Sequence, residues 1–186
     1  RYYAVKVLKL AIPDVVLIAP RIFSDERGYF LETWQAKTYA DAGLDFQFVQ
    51  ENQSGSRGGT LRGLHYQIRH PQGKLVRVIR GEIFDVAVDL RRSSATFGQG
   101  VSVRLSADER TQIYVPPGFA HGFLVTSESA DVVYKCTDYY FPEHERTVLW
   151  NDPDLGIAWP NVSSGTPLLS EKDRQGVRLR DAEVFA

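Results

Sequence analysis

Short runs of alternating apolar and polar residues, interrupted by glycine or proline, dominate this sequence and constrain its fold more than any other feature. The clearest run spans residues 75–90 and has Gly81-Glu82 at its middle. A period of two is typical of strands that bury one face, and a glycine between two such runs predicts a tight hairpin. Many short strands separated by glycine and proline turns favour an antiparallel sandwich or barrel.

Further strands and a few short helices are indicated along the chain. The strand pattern recurs over 98–105, 111–115, 119–125 and 131–140. The helical stretches are 35–42, which ends at Gly43, and two that begin at a capping serine, 106–110 and 170–175. We therefore expect one all-β domain over residues 1–186, a jelly-roll β-barrel with short peripheral helices. The interior of such a barrel can hold one small ligand.

Composition excludes several functional classes. The net charge of -1 gives no support for nucleic-acid binding, which normally requires a basic excess. The longest apolar stretch, residues 11–20, is too short to span a membrane, and no signal peptide is apparent. The lone cysteine, Cys136, lies in a strand pattern and is expected to be a buried thiol without chemistry. A cytoplasmic protein is therefore expected.

Polar residues on strands that should face a barrel interior are the candidates for chemistry. Arg62, His65 and Gln67 lie within one such strand, and His65 and Gln67 are two residues apart, so they share a face. His121 follows the turn Pro116-Pro117-Gly118 into another apolar strand. A single histidine of this kind is usually structural, but two on separate strands beside glycines point to a site.

The spacing Pro116-x-Gly118-x-x-His121 resembles the second metal-binding motif of cupins. The first cupin motif requires a His-x-His pair, whereas this chain has His65-Tyr66-Gln67. Glutamine is a poor replacement for imidazole on a transition metal. We therefore expect a cupin-type barrel that binds no metal and no cofactor.

Without a metal, His65 is a candidate acid or base, because the ordinary pKa of histidine suits proton transfer near neutrality. Such a histidine needs a partner, usually a carboxylate, and Asp173 is a candidate that spacing alone does not select. Lys74 opens an apolar strand, where it is either a solvated strand end or an ammonium directed at a developing oxyanion.

Taken together, the motifs resemble the dTDP-4-dehydrorhamnose 3,5-epimerases, enzymes of the cupin superfamily. The resemblance covers almost the whole chain in order, so it is far more specific than a single motif. The matching segments are DERGYFLE (25–32), QENQS (50–54), TLRGLHYQ (60–67), GKLVRV (73–78), DVAVDLR (85–91), PGFAHGF (117–123), VYKCT (133–137), NDP (151–153), GIAWP (156–160) and LSEKD (169–173).

The resemblance implies roles for individual residues. His65 would be the general base, oriented by Asp173, while Lys74 would stabilise the enolate oxygen. Tyr134 would be the acid that returns a proton to the opposite face. Tyr140 would stack on the thymine base. The remaining substrate contacts implied are Arg27, Glu32, Gln50, Asn52, Arg62, His121 and Glu145.

Each implied role has an ordinary structural alternative. Arg27 and Glu32 are also compatible with a surface ion pair, Tyr134 with a strand residue and Tyr140 with a core residue. Small departures from the family pattern, at Gly73 and over 51–53, leave substrate preference more open than reaction type.

The resemblance predicts an epimerase that inverts C3 and C5 of dTDP-4-dehydro-6-deoxy-D-glucose to give dTDP-4-dehydro-L-rhamnose. The alternatives are a 3- or 5-epimerase of another nucleotide-linked 4-keto-6-deoxy sugar, a non-catalytic sugar-nucleotide-binding cupin, and a metal-dependent cupin oxygenase. A homodimer is also expected, with an exposed edge strand such as Val15 to Ala19 pairing across the interface.

Overall fold

The computed structural model describes residues 4–186, and strands account for most of its regular structure. Two larger sheets and one two-stranded sheet are formed. The strands are β1 (Lys6–Lys9), β2 (Val16–Ala19), β3 (Ile22–Asp25), β4 (Gly28–Leu31), β5 (Gln50–Arg57), β6 (Leu61–Gln67), β7 (Lys74–Arg80), β8 (Glu82–Asp89), β9 (Gly100–Ser106), β10 (Gln112–Val115), β11 (Phe119–Val125), β12 (Ser129–Cys136) and β13 (Glu145–Thr147).

The two larger sheets face each other. One has the order β1-β2-β10-β7-β12-β5 and the other the order β13-β6-β11-β8-β9. The pairings between these neighbours are antiparallel. The separate ribbon of β3 and β4 forms an arm beside them. This is the expected all-β jelly-roll architecture.

Helical segments are short and peripheral, as expected. They are α1 (Ala36–Asp41), α2 (Glu171–Arg174) and the 3₁₀ turns Pro142–His144 and Leu179–Asp181. The Gln35 side chain caps α1 and the Ser170 hydroxyl caps α2. The helix expected over 106–110 is wrong: Ser106 still belongs to β9. Its hydroxyl does accept from the Glu109 amide at 3.1 Å, so the capping contact is present without a helix.

The core lies between the two larger sheets and fills one end of the barrel. Side chains such as Val76 and Val78 of β7 and Ala130 and Val132 of β12 belong to this inner cluster. Further along the same faces, the inward positions become polar, with Lys74 on β7 and Tyr134 on β12. The inward face is therefore apolar toward one end of the barrel and polar toward the other.

Both outer faces are also covered, which explains the continuous apolar runs. Tyr39 of α1 packs with Leu75 and Tyr114 on the outside of the six-stranded sheet. Leu155 and its neighbours pack against Val86 on the outside of the five-stranded sheet.

Two strand pairings expected from the sequence are wrong. The run over 75–90 does not form a hairpin, because β7 pairs with β10 and β12 while β8 pairs with β9 and β11. Gly81, with φ of 76°, carries the chain from one sheet to the other. The expected edge strand at Val15 to Ala19 is an internal strand, since β2 lies between β1 and β10. Its alternation reflects burial against the covering helix and the core rather than a free edge.

Candidate active site

A cavity of about 380 Å³ opens at the polar end of the barrel, between the two sheets. Its wall includes most of the residues predicted from the sequence. Those lining it are Gln50, Asn52, Arg62, His65, Lys74, His121, Tyr134, Tyr140 and Glu145. Residues from both sheets thus converge on one space, as a barrel with an internal site requires.

His65 and Asp173 form a hydrogen-bonded pair at the wall of this cavity. The Nε2 atom of His65, on β6, lies 2.5 Å from Oδ1 of Asp173, on α2. The Ser170 hydroxyl donates to the other carboxylate oxygen at 2.8 Å. The Asp173 side chain is buried, whereas that of His65 is 21% exposed. The two residues are 108 positions apart in the sequence, and the orienting role of Asp173 implied by the resemblance stays a prediction.

The environment keeps His65 neutral and Asp173 charged. Burial lowers the pKa of His65, and the hydrogen bond that its ring donates to Asp173 only partly offsets this shift. For Asp173, burial raises the pKa, but its contacts with His65, the Ser170 hydroxyl and the Gly63 backbone together outweigh that effect, so the pKa is lowered overall. A carboxylate at Nε2 holds the ring hydrogen there, which leaves Nδ1 as the nitrogen able to take a proton.

A second histidine–aspartate pair lies deeper in the same sheet. His121 Nε2, on β11, is 2.8 Å from Oδ2 of Asp85, on the adjacent strand β8. Both side chains are buried. No described residue donates to the buried Oδ1 atom of Asp85.

Lys74 and Tyr134 face this wall from the six-stranded sheet. The Lys74 ammonium lies 5.7 Å from the centre of the Tyr134 ring. Burial lowers the pKa of Lys74, while nearby acidic groups and Cys136 oppose that shift. Burial raises the pKa of Tyr134, so its phenol keeps its proton near neutral pH. Asn52 on β5 pairs opposite Tyr134 and hydrogen-bonds it.

Arg62 and His65 are three residues apart and would point to opposite faces of a regular strand, but an irregularity in β6 brings both to the cavity. The register between β6 and β11 shifts, since His121 pairs with His65 but Phe123 pairs with Arg62. Gly63 occupies the shift with φ of 134°, and a Cβ there would lie 2.6 Å from the Cα of Gly122. Only glycine fits this close approach, and such bulges commonly redirect side chains next to sites.

A chain of polar contacts crosses the cavity mouth. The Tyr140 hydroxyl donates to Oε2 of Glu145 at 2.9 Å, and the Lys172 ammonium donates to Oε1 at 2.9 Å. Burial raises the pKa of Glu145, but these two contacts outweigh it and the pKa is lowered overall. Tyr140 is 48% exposed, so the core alternative for this residue is wrong.

Arg27 and Glu32 do not reach the cavity within one chain. Arg27 lies at the tip of the β3–β4 arm, where its exposed side chain pairs with Asp25 at 2.6 Å. Glu32 accepts a hydrogen bond from the Thr38 hydroxyl at 3.0 Å. Their roles as substrate contacts stay predictions.

Several lining residues were not assigned to the site from the sequence. They are Ser54, Tyr66, Gln67, Gln72, Gly122, Phe123 and Lys172. Ser54 was detectable, since it follows Gln50 and Asn52 at a spacing of two on one strand. Lys172 was not, because nothing local shows that α2 approaches Glu145.

No group of three or more metal-ligating side chains within residues 4–186 is arranged to hold a metal ion. No helix in the same part of the chain is long and apolar enough to cross a membrane. Cys136 is buried, and its thiol accepts from the Asn52 amide at 3.8 Å.

Comparison with known proteins settles the family. The sequence model of dTDP-4-dehydrorhamnose 3,5-epimerase matches residues 9–181. This chain belongs to the dTDP-4-dehydrorhamnose 3,5-epimerase family. The dTDP-4-dehydrorhamnose 3,5-epimerase of Pseudomonas aeruginosa is 57% identical over 181 residues, which cover 97% of this chain and 99% of that protein. The resemblance drawn from the sequence is confirmed.

Solved structures of family members share the fold. The dTDP-6-deoxy-D-glucose-3,5-epimerase of Legionella pneumophila, in complex with dTDP-4-keto-L-rhamnose, superposes with a TM-score of 0.92 and 48% identity, covering 96% of this chain and 95% of that one. A 3'-monoepimerase from Streptomyces bikiniensis, in complex with dTDP-quinovose, gives a TM-score of 0.85 and 38% identity, covering 92% and 87%. The expected cupin-type jelly roll is confirmed.

Proposed function

We propose that this protein inverts C3 and C5 of dTDP-4-dehydro-6-deoxy-D-glucose to give dTDP-4-dehydro-L-rhamnose. One observation carries the proposal: His65 with Asp173 and Tyr134 with Lys74 lie on opposing walls of one cavity. Inversion requires a group that removes a proton from one face of a ring and a different group that returns one to the other face. The names of the closely similar relatives support the same reaction.

The base step begins with neutral His65. Its Nδ1 atom takes the proton from the carbon beside the C4 ketone, and the electron pair of that C–H bond moves into an enolate with its negative charge on the C4 oxygen. Asp173 stabilises the imidazolium formed, because its carboxylate is fixed at Nε2. The Lys74 ammonium stabilises the enolate oxygen, which contributes several kcal/mol of barrier lowering in sites of this kind.

The acid step uses Tyr134 on the other wall. Its phenol donates a proton to the enolate carbon, which restores the ketone with inverted configuration and leaves a phenolate. The nearby Lys74 ammonium favours that phenolate electrostatically. Exchange of protons with water then resets His65 and Tyr134, and the same sequence at the second carbon completes the double inversion.

In the proposed complex the nucleotide part of the substrate lies at the mouth of the cavity. Tyr140 presents an exposed aromatic ring for the base, and Arg62 supplies a cation for the diphosphate. Gln50, Asn52, His121 and Glu145 contact the sugar and its linkage.

The assembly that we propose is a homodimer. Tyr29 and Phe30 on the β3–β4 arm, at 59% and 60%, are the two most exposed large apolar side chains among the described residues, and they lie next to each other. The arm also carries Arg27, which lies outside its own chain's cavity. Docking of the arm on a second copy buries these rings and brings Arg27 and Glu32 to the partner's nucleotide. A cytoplasmic location stays a prediction from the sequence.

Proton NMR in D₂O tests the proposed reaction. Wild-type protein should replace the C3 and C5 protons of dTDP-4-dehydro-6-deoxy-D-glucose with deuterium, and His65→Ala should abolish both exchanges. His144→Ala is the matched control, because this histidine does not line the cavity. Exchange at one carbon would instead indicate a monofunctional epimerase, as in the Streptomyces bikiniensis relative. No exchange at either carbon would favour a non-catalytic binding protein.

A further inference from the structure

The segment 138–141 carries Tyr140 but has little backbone structure of its own. Strand β12 ends at Cys136, short of the strand expected over 131–140. Among the described residues, no backbone–backbone hydrogen bond holds Tyr139 or Tyr140. Side chains make the hydrogen bonds to its backbone at the cavity mouth instead.

Three glutamine side chains supply those missing contacts. The Gln72 amide donates to the Asp138 carbonyl at 2.8 Å. The Gln50 carbonyl oxygen accepts from the Tyr140 amide at 3.0 Å. Gln67 makes contacts on both sides of Tyr140, since its amide nitrogen donates to the Tyr139 carbonyl at 3.1 Å and its oxygen accepts from the Phe141 amide at 2.7 Å.

Gln67 is the central member of this set. It is 3% exposed, and its amide nitrogen makes a second hydrogen bond to the His70 carbonyl at 2.7 Å. Both N–H groups and the oxygen of its amide are therefore used by the protein, which leaves the side chain little capacity to bind a substrate directly. The His70 ring in turn packs against Phe141, with ring centres 4.4 Å apart.

We infer that Gln67 is a positioning residue for nucleotide recognition, which fixes the segment 138–141 so that Tyr140 presents its ring to the base of the substrate. Gln67 occupies the position where a His-x-His cupin motif has its second histidine. In this chain the residue at that position connects strand β6, in the cavity wall, to the segment 138–141 at the cavity mouth through hydrogen bonds. The inference rests on the proposed function, because it assigns Tyr140 to the nucleobase.

The role predicts coupling between Gln67 and Tyr140. Loss of base stacking on an aromatic ring weakens binding about 5- to 150-fold, and loss of Tyr140 should weaken nucleotide binding by a factor in this range. A residue that acts only through Tyr140 has no further effect once Tyr140 has been removed.

The experiment is a double-mutant cycle with dTDP as the probe, measured by calorimetry on wild type, Gln67→Ala, Tyr140→Ala and the double variant. Gln67→Ala should raise the Kd for dTDP about tenfold in the wild-type background and less than about twofold in the Tyr140→Ala background. In steady-state assays, Gln67→Ala should raise KM by a larger factor than it lowers kcat. An equal loss in both backgrounds, an unchanged Kd, or a loss confined to kcat would overturn the inference.

Controls separate positioning from general destabilisation. Asp152→Ala removes another buried side chain that anchors loop backbone, through the amides of Asp154 and Leu179, outside the cavity. It should lower the melting temperature but leave the Kd for dTDP within about twofold. If Gln67→Ala does not fold, Gln72→Ala takes its place in the same cycle, because Gln72 holds the start of the segment from a less buried position.

The two proposals fail in different ways. If wild-type protein does not bind dTDP, the proposed function is wrong. If wild type binds it and Tyr140→Ala weakens binding while Gln67→Ala does not, only the positioning role is wrong.

Discussion

The two histidine–aspartate pairs of the cavity have the same chemistry but different surroundings. In both, Nε2 of the histidine faces a carboxylate oxygen, at 2.5 Å for His65 and Asp173 and at 2.8 Å for His121 and Asp85. The first aspartate lies on a short peripheral helix, whereas the second lies on the neighbouring strand of the same sheet. The His65 ring is 21% exposed, but that of His121 only 9%.

These differences separate a pair suited to proton transfer from one suited to holding position. A base must reach the substrate and exchange its proton with solvent, which the more exposed His65 can do. Asp173 has hydrogen-bond donors on both oxygens, so its charge is available to stabilise an imidazolium. His121 and Asp85 instead lie on adjacent strands of one sheet, where His121 forms part of the cavity wall. The predictions that follow test this division of roles.

The largest expected effect is on the base itself. His65→Asn should reduce kcat for deuterium exchange by about 10³–10⁴, because general base catalysis is removed. His121→Asn should reduce it by only about tenfold, through a less well positioned substrate. Single-turnover exchange followed by NMR gives both values. Equal losses in the two variants would show that the pairs do not differ in role.

The next effect concerns the carboxylates. Asp173→Asn should lower kcat by about 10², since the imidazolium loses its counter-charge while the side-chain shape is kept. Asp85→Asn should have a smaller effect on kcat, because its partner His121 is not the base that takes the substrate proton. Steady-state kinetics at one pH compares them, and a larger loss for Asp85→Asn would reverse the assignment.

Stability should rank the pairs in the opposite order. Asp85→Ala leaves a buried histidine without its partner in a central strand, and should lower the free energy of unfolding by about 2 kcal/mol. Asp173→Ala should cost about 1 kcal/mol, because His65 can turn to solvent at the cavity surface. Urea unfolding monitored by tryptophan fluorescence measures both. If Asp173→Ala lowers the free energy of unfolding more than Asp85→Ala does, the pair of Asp173 and His65 would serve mainly to stabilise the fold rather than to assist catalysis.

The smallest effects are shifts of the two limbs of the pH profile, and the acid limb depends on His65. Neutral His65 is the active base, so kcat/KM rises as pH increases through the pKa of His65, which burial places below its ordinary value. The hydrogen bond with Asp173 raises that pKa, so Asp173→Asn should move the acid limb to lower pH. His121→Asn should leave the acid limb in place. If the acid limb moves in His121→Asn and not in Asp173→Asn, the assignment of His65 as the base is wrong.

On the basic side, Lys74 and Tyr134 make a separate prediction. Burial lowers the pKa of Lys74, so we expect loss of its ammonium to limit activity as pH increases, whereas burial raises the pKa of the Tyr134 phenol. Lys74→Arg keeps its charge at all relevant pH values and should extend the basic limb to higher pH, even where its activity is reduced. A profile unchanged in shape would exclude Lys74 as the limiting group.

The sequence predicted single elements well and their long-range partners poorly. Strand periodicity located β10 and β11, and serine capping located α2, because these signals are local. Periodicity could not show that Gly81 separates strands of different sheets, since a hairpin and a change of sheet both place a glycine between two alternating runs.

The site shows the same limit. His65 and His121 stood out as polar residues on apolar strands, but the partnership with Asp173 came from family resemblance, because 108 residues separate the two. Gln67 is predictable from the sequence as a polar residue on the face of His65 and as a missing metal ligand, but not as an anchor of the segment 138–141. Its contacts with Tyr139 and Phe141 join segments more than 70 positions apart, and no sequence pattern encodes them.

The change of sheet at Gly81 also bears on how the protein acquires its activity. The consecutive strands β7 and β8 lie in opposite walls, and most strand pairings join distant parts of the chain, a topology that folds slowly for its size. The base and its aspartate meet only when such distant segments have closed on each other. Recovery of epimerase activity during refolding should therefore trail the recovery of β-sheet circular dichroism, and enzyme turnover becomes a sensitive reporter of complete folding.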